Sequence, residues 1–211
     1  DNWYHRAPNE EMLKYIEDLA LWGINAFHMH LDYPMVDLEF ATEIDLRVFD
    51  SISRSIANRV HELDLILTTI GGENVAPGNM PPSYKAVPNE DPKRGDTSWN
   101  VCPEKFGALD YLLNLRKRSL DAYADINIDG FVYWPYDEGG CACEQCRPWG
   151  GNGYVRLMEK MSKINKNKYP ESLQLVSTWA FNNDDWELFY KYLKTQDWID
   201  CLIVDSHEDF P

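Results

Sequence analysis

The chain has 211 residues, 44% hydrophobic and 26% charged, which is the balance of a globular domain with one sizeable core. Its net charge of −15 repels nucleic acid and anionic lipid, and no apolar run approaches the roughly 20 residues of a membrane span, so neither kind of partner is expected. The charge suits a neutral ligand such as a sugar, and the unusual part of the composition is aromatic, with eight Trp and twelve Tyr.

In chain order, Asp1 to His5 reads as the tail of a strand. Pro8 opens a helix to about Trp22, with Met12, Leu13, Ile16 and Leu19 as its apolar stripe and Gly23 as its stop. Ile24 to Leu31 reads as a strand, with Phe27, Met29 and Leu31 on one face and His28 and His30 on the other. The four-residue repeat of Ile44, Val48, Ile52, Ile56 and Val60 predicts a helix over 43–62. Leu65 to Ile70 is a buried type of strand that ends in Gly71-Gly72. Residues 71 to 101 are rich in Pro, Gly and Asn and show no periodicity, which reads as a functional or poorly ordered loop. Helix over 103–124, strand over 128–136, helix over 154–165, strand over 173–181, helix over 184–195 and strand over 201–205 follow.

Strand and helix alternate about five times, and the Asp1–His5 tail makes six strands, which calls for a parallel sheet with right-handed crossovers. The expected fold class is α/β: a (β/α)8 TIM-type barrel present as an incomplete portion of about six strands, one domain over 1–211. Its last two units and part of its first would lie outside a chain that begins without Met and stops at Pro211 in mid-pattern. An open doubly wound sheet is the competing topology, although no phosphate-binding fingerprint follows the first full strand.

A barrel collects its functional groups where the chain leaves each strand. Those groups are Trp3 and His5 after the first strand; His30 and Asp32 after the second; Trp134, Tyr136, Asp137 and Glu138 after the fourth; Trp179 and Asn182 after the fifth; and Asp205 and His207 after the sixth. The adjacent acids are the most specific signal. Glycoside cleavage needs an acid for the leaving oxygen and a group that stabilises or traps the oxocarbenium-like centre. Neighbouring residues cannot flank the sugar at the roughly 5 Å spacing of a retaining pair. They can work together if the substrate's own 2-acetamido carbonyl is the nucleophile, one carboxylate orienting that amide while the other protonates the glycosidic oxygen. Burial among Trp134, Tyr136 and Trp179 would raise the acid towards its working range.

The run Tyr133-Trp134-Pro135-Tyr136-Asp137-Glu138-Gly139-Gly140-Cys141 resembles the fourth-strand region of family 20 β-N-acetylhexosaminidases and their relatives. Cys102-Pro103 through Cys141-x-Cys143-x-x-Cys146-x-Pro148-Trp149-Gly150 is also similar to uncharacterised bacterial glycoside-hydrolase-like proteins. The specific resemblance covers about residues 99 to 154. It implies a glycoside hydrolase that cleaves a β-linked, N-acetylated sugar, with Asp137 orienting the acetamide and Glu138 as general acid. Trp3, His5, His30, Asp32, Trp134, Tyr136, Trp179, Asn182, Asp205 and His207 would line the sugar site. Pro135-Tyr136 stands where that family carries Gly-Gly, and the cysteine cluster is not a hexosaminidase feature. A secreted or periplasmic location is the corresponding expectation.

Cys141, Cys143 and Cys146 crowd one Gly-rich loop, and Cys102 ends the preceding long loop, next to it in a barrel. Four thiolates make a closed structural Zn²⁺ site that is not required for catalysis. The alternative is a disulfide from Cys102 to one of the three, with the others free. Three other functional readings remain open: an ordinary two-carboxylate glycosidase whose nucleophile lies beyond Pro211, a metal-dependent amidohydrolase-type barrel using His28 and His30, and a catalytically silent barrel that binds glycans on its aromatic rim. The amidohydrolase pattern requires a Lys on the fourth strand and a His on the fifth, where Asp-Glu and Trp-Ala-Phe-Asn stand instead.

Overall fold

The computed structural model describes residues 9–31, 43–76, 80–88, 100–136 and 140–204. Helix α1 (Asn9–Leu21) buries Met12 and Ile16, one turn apart, and ends at Gly23, whose φ of +88° suits a residue without a side chain. Strand β1 (Ala26–His28) leads to α2 (Glu43–Glu62), which turns Ile56 and Val60 inward. Strand β2 (Ile66–Gly72) precedes α3 (Ala108–Ala122) and β3 (Gly130–Tyr133). A π-helical turn, Trp149–Tyr154, runs directly into α4 (Val155–Lys168), and β4 (Leu173–Ser177), α5 (Asn183–Leu193) and β5 (Cys201–Ile203) complete the order.

All five strands are parallel and stand side by side in chain order, β1-β2-β3-β4-β5. The order never reverses, so right-handed crossovers place the helices on one face, where α1 packs on α2 and α3 on α4. This corrects the expectation of an incomplete (β/α)8 barrel with about six strands: the described residues form a five-stranded sheet curled into a half-barrel. The expected first strand, Asp1–His5, lies outside the described residues, and β1 and β5 have no further strand paired to them among those residues. The doubly wound alternative fails too, because it needs a reversal of strand order.

Alternation along β3 sends Phe131 and Tyr133 towards the helices and Val132 to the other face. The Arg116 guanidinium of α3 sits 4.9 Å from the Phe131 ring centre, and its Nε donates to Asn165 Oδ1 on α4 at 2.6 Å. Asn165 Nδ2 in turn donates to the Gly71 carbonyl and to the Tyr133 hydroxyl, both at 2.8 Å, and Tyr133 donates to Gln174 Oε1 on β4. This buried relay ties α3 and α4 to β2, β3 and β4. It also explains Gly71, where a Cβ would stand 2.5 Å from the Tyr133 ring.

Candidate functional site

Residues that leave the carboxyl ends of β2, β3 and β4 converge on one edge of the sheet. Beyond β2, Asn74 is buried, and Val75 pairs with Asn100 in a short antiparallel bridge. A second bridge, Lys85 with Val101, and the bond from Cys102 N to the Tyr84 carbonyl at 2.8 Å bring Cys102 to the same edge. Beyond β3, Ala142 N donates to the Val87 carbonyl at 2.9 Å, which seats the cysteine loop against that segment. The Cys143 carbonyl accepts from Cys146 N and Arg147 N, both at 3.0 Å, closing a tight knuckle.

The four thiols Cys102, Cys141, Cys143 and Cys146 therefore meet, with their sulfurs all within 4.8 Å of one another. Cys102 Sγ lies 3.7 Å from Cys143 Sγ and 3.9 Å from Cys146 Sγ. Four sulfurs held about 2.3 Å from a common tetrahedral centre stand about 3.8 Å apart, so the spacing is that of a metal cage. A disulfide would need two of them at about 2 Å, and all four cysteines are free. Cys102, Cys141 and Cys146 are buried and Cys143 is half-buried.

The charge balance argues the same way. Hydrogen bonds from Cys102 and Cys146 hold Cys141 far below the ordinary thiol range. The hydrogen bond to Cys141 pushes Cys102 up, and its hydrogen bonds to Cys102 and Cys141 push Cys146 up. A cation at the centre of four such thiols would favour the ionised form of each. The cluster can therefore bind a metal ion. With every position taken by sulfur, the ion would leave no site for substrate.

Trp134 and Trp179 leave β3 and β4 half-buried, with ring centres 5.3 Å apart and planes inclined by 31°. Tyr154, at the end of the π-helical turn, places its hydroxyl 2.7 Å from the Tyr133 carbonyl and 3.2 Å from the Ser177 carbonyl, so it bridges the two strand ends that carry the tryptophans. Burial holds its phenol well above the usual range, which keeps it protonated.

The other expected site residues divide sharply. The Tyr136 hydroxyl is buried, lies 3.0 and 3.1 Å from the Asp185 carboxylate oxygens and accepts from Gly150 N at 3.1 Å. Asn182 caps α5: its side chain accepts from Asp185 N at 2.9 Å while Asp185 accepts from Asn182 N at 3.0 Å. Both side chains are thus engaged in structure. His30 is exposed, its ring centre 5.3 Å from that of His28, and His28 Nδ1 lies 3.1 Å from Thr68 Oγ1. Trp3, His5, Asp32, Asp137, Glu138, Asp205 and His207 lie outside the described residues. Sequence reasoning missed Asn74, Tyr154 and Asp185. Only Asp185 carried a readable signal, the Asn182-x-x-Asp185 spacing of a capping box.

No protein-family model and no curated protein matches the chain. Among the described residues, no helix is long and apolar enough to cross a membrane.

Proposed function

We propose that this chain is a glycoside hydrolase domain acting on a β-linked, N-acetylated sugar, with Glu138 as general acid and Asp137 orienting the acetamido group. The observation that carries the proposal is the Trp134–Trp179 pair at the carboxyl edge of the sheet. Two inclined, half-buried indoles offer apolar faces of the size of a pyranose ring, and Trp134 stands three positions before Asp137. The amide that a 2-acetamido sugar presents would act as the internal nucleophile, so one pair of adjacent carboxylates suffices. The ion in the thiolate cage is zinc, held for structure and not for chemistry, and a secreted or periplasmic location suits a glycan substrate.

The test is Glu138→Gln against a panel of aryl β-glycosides, with sugar binding measured by calorimetry. The unaltered protein should release the aryl group from 2-acetamido sugars. The variant should lose about 100-fold or more in kcat while its affinity for the free sugar stays within a few-fold. Sugar binding without any turnover in the unaltered protein would replace the proposal by the silent glycan-binding reading. Turnover of sugars that lack the acetamide would assign the nucleophile to another carboxylate.

A further inference from the structure

We infer that Asn74 is a positioning residue that couples the thiolate-held metal to Gly140, the residue that leads into the cysteine loop after β3. The inference rests on the glycosidase reading only for its catalytic consequence; the coupling itself is a property of the described residues.

Asn74 is 1% exposed, and its amide is fully engaged by main chain. Nδ2 donates to the Gly140 carbonyl at 2.8 Å and to the Val101 carbonyl at 3.0 Å, while Oδ1 accepts from Gly140 N at 2.9 Å. Its own carbonyl accepts from Val101 N at 2.7 Å. An amide has two N–H donors, both used here, so nothing remains of this group to donate to a ligand. Its partners are informative by position: Val101 immediately precedes Cys102, and Gly140 immediately precedes Cys141. The metal would bridge Cys102 to Cys141, and Asn74 bridges the residue before each. Two cross-links between the same pair of segments close a small ring, and each lowers the entropy cost of making the other.

The same ring sets one end of the acidic segment. Tyr136 is fixed through Asp185, and Gly140 is fixed by both of its main-chain groups. Release of Gly140 removes the fixed main-chain point that stands two positions after Glu138 in the sequence. Positioning a catalytic carboxylate is worth orders of magnitude in rate, because small displacements move the acid out of reach of the leaving oxygen.

The experiment uses the zinc-loaded chain and two readouts: zinc affinity by competition with a chromophoric chelator, and amide exchange by mass spectrometry over peptides containing 136–143. Three samples are compared: the unaltered protein, the same protein stripped of zinc under reducing conditions and then reloaded, and Asn74→Ala. Stripping should speed exchange at Gly140 by about tenfold or more, and reloading should restore it. Asn74→Ala should show the same acceleration with zinc present, together with an affinity for zinc about tenfold weaker, since coupling is reciprocal. Exchange at β3 should stay unchanged in all three. Asn74→Asp, which keeps the acceptor for Gly140 N but loses the donor, should fall between. Unchanged exchange at Gly140 on stripping, or zinc affinity in Asn74→Ala within twofold of the unaltered protein, overturns the inference. Should neither variant fold, the stripping and reloading of the unaltered chain still decides it.

On an aryl 2-acetamido-β-glycoside, Asn74→Ala should lower kcat about tenfold or more with KM within twofold, the pattern of a displaced acid and not of a damaged sugar site. If the unaltered chain cleaves no glycoside, the glycosidase reading fails while the exchange and zinc measurements still judge the coupling.

Discussion

Trp134 and Trp179 meet at a strand edge with their planes inclined by 31°, each of them partly buried. If a sugar ring packs on this pair, truncating either residue removes a packing surface without touching the buried anchors behind it. Trp134→Ala is expected to weaken binding of a 2-acetamido sugar about tenfold, on the order of 1–2 kcal/mol, with the thermal midpoint shifted little. Calorimetric titration and a melting curve on the same sample check both halves of the statement. Tyr136 sits two positions from Trp134, so it shares that residue's parity in the pattern of the sequence, and aromatic type alone could not separate the two. What separates them is the Asp185 carboxylate waiting for the Tyr136 hydroxyl 49 positions further on. Long-range partners of this kind leave no trace in local spacing.

At the scale of elements, the π-helical turn and the start of α5 behave as one unit. Asp185, fully buried, closes the capping box with Asn182, meets the Tyr136 hydroxyl and accepts from Gly151 N at 3.2 Å. Asp185→Ala removes a helix cap and strands several buried donors at once, so a loss of about 2–4 kcal/mol is expected in urea unfolding. The helices were the most readable elements, because four-residue apolar spacing dictates which face must be buried: the expected span 43–62 coincides with α2. At and just beyond the end of β1 (Ala26–His28), the alternation of Met29 and Leu31 against His28 and His30 matches their burial and exposure, although the strand itself is shorter than the expected 24–31. The apolar spacing of Phe106, Leu109, Leu113, Leu120 and Tyr123 predicts a helix from about Pro103, earlier than the observed start of α3 at Ala108. The chain instead makes turns there and passes through Gly107 at φ +79° before the helix begins. Trp149-Gly150-Gly151-Asn152-Gly153-Tyr154 reads as loop from its glycines. It becomes helical because those glycines let the backbone approach Phe181 and Asp185 more closely than any side chain would allow.

For the whole molecule, the four-cysteine cluster brings the long segment after β2 together with the loop after β3. Stripping the metal under reducing conditions is expected to lower the thermal midpoint by about 10 °C while leaving the helical circular dichroism intact at room temperature. Unchanged melting would show that the cage adds nothing to stability. The grouping of the four cysteines was legible from spacing and from the adjacency of the loops after neighbouring strands. Closure of the sheet was not legible. Local patterns announce that strands are parallel and separated by helices, but strand number and curvature depend on pairings that no local pattern reports.

Cys102 and Cys143 are 41 positions apart, with all of α3 and β3 between them. If the cluster holds an ion, the three thiols of the knuckle alone would offer it only an open, three-sulfur site. The fourth ligand would be added when β3 has paired with β2 and carried its loop back to Cys102. Capture of the ion in a slowly exchanging form would therefore report that this central strand pair has assembled, giving a maturation checkpoint that can be timed by following metal retention against a competing chelator.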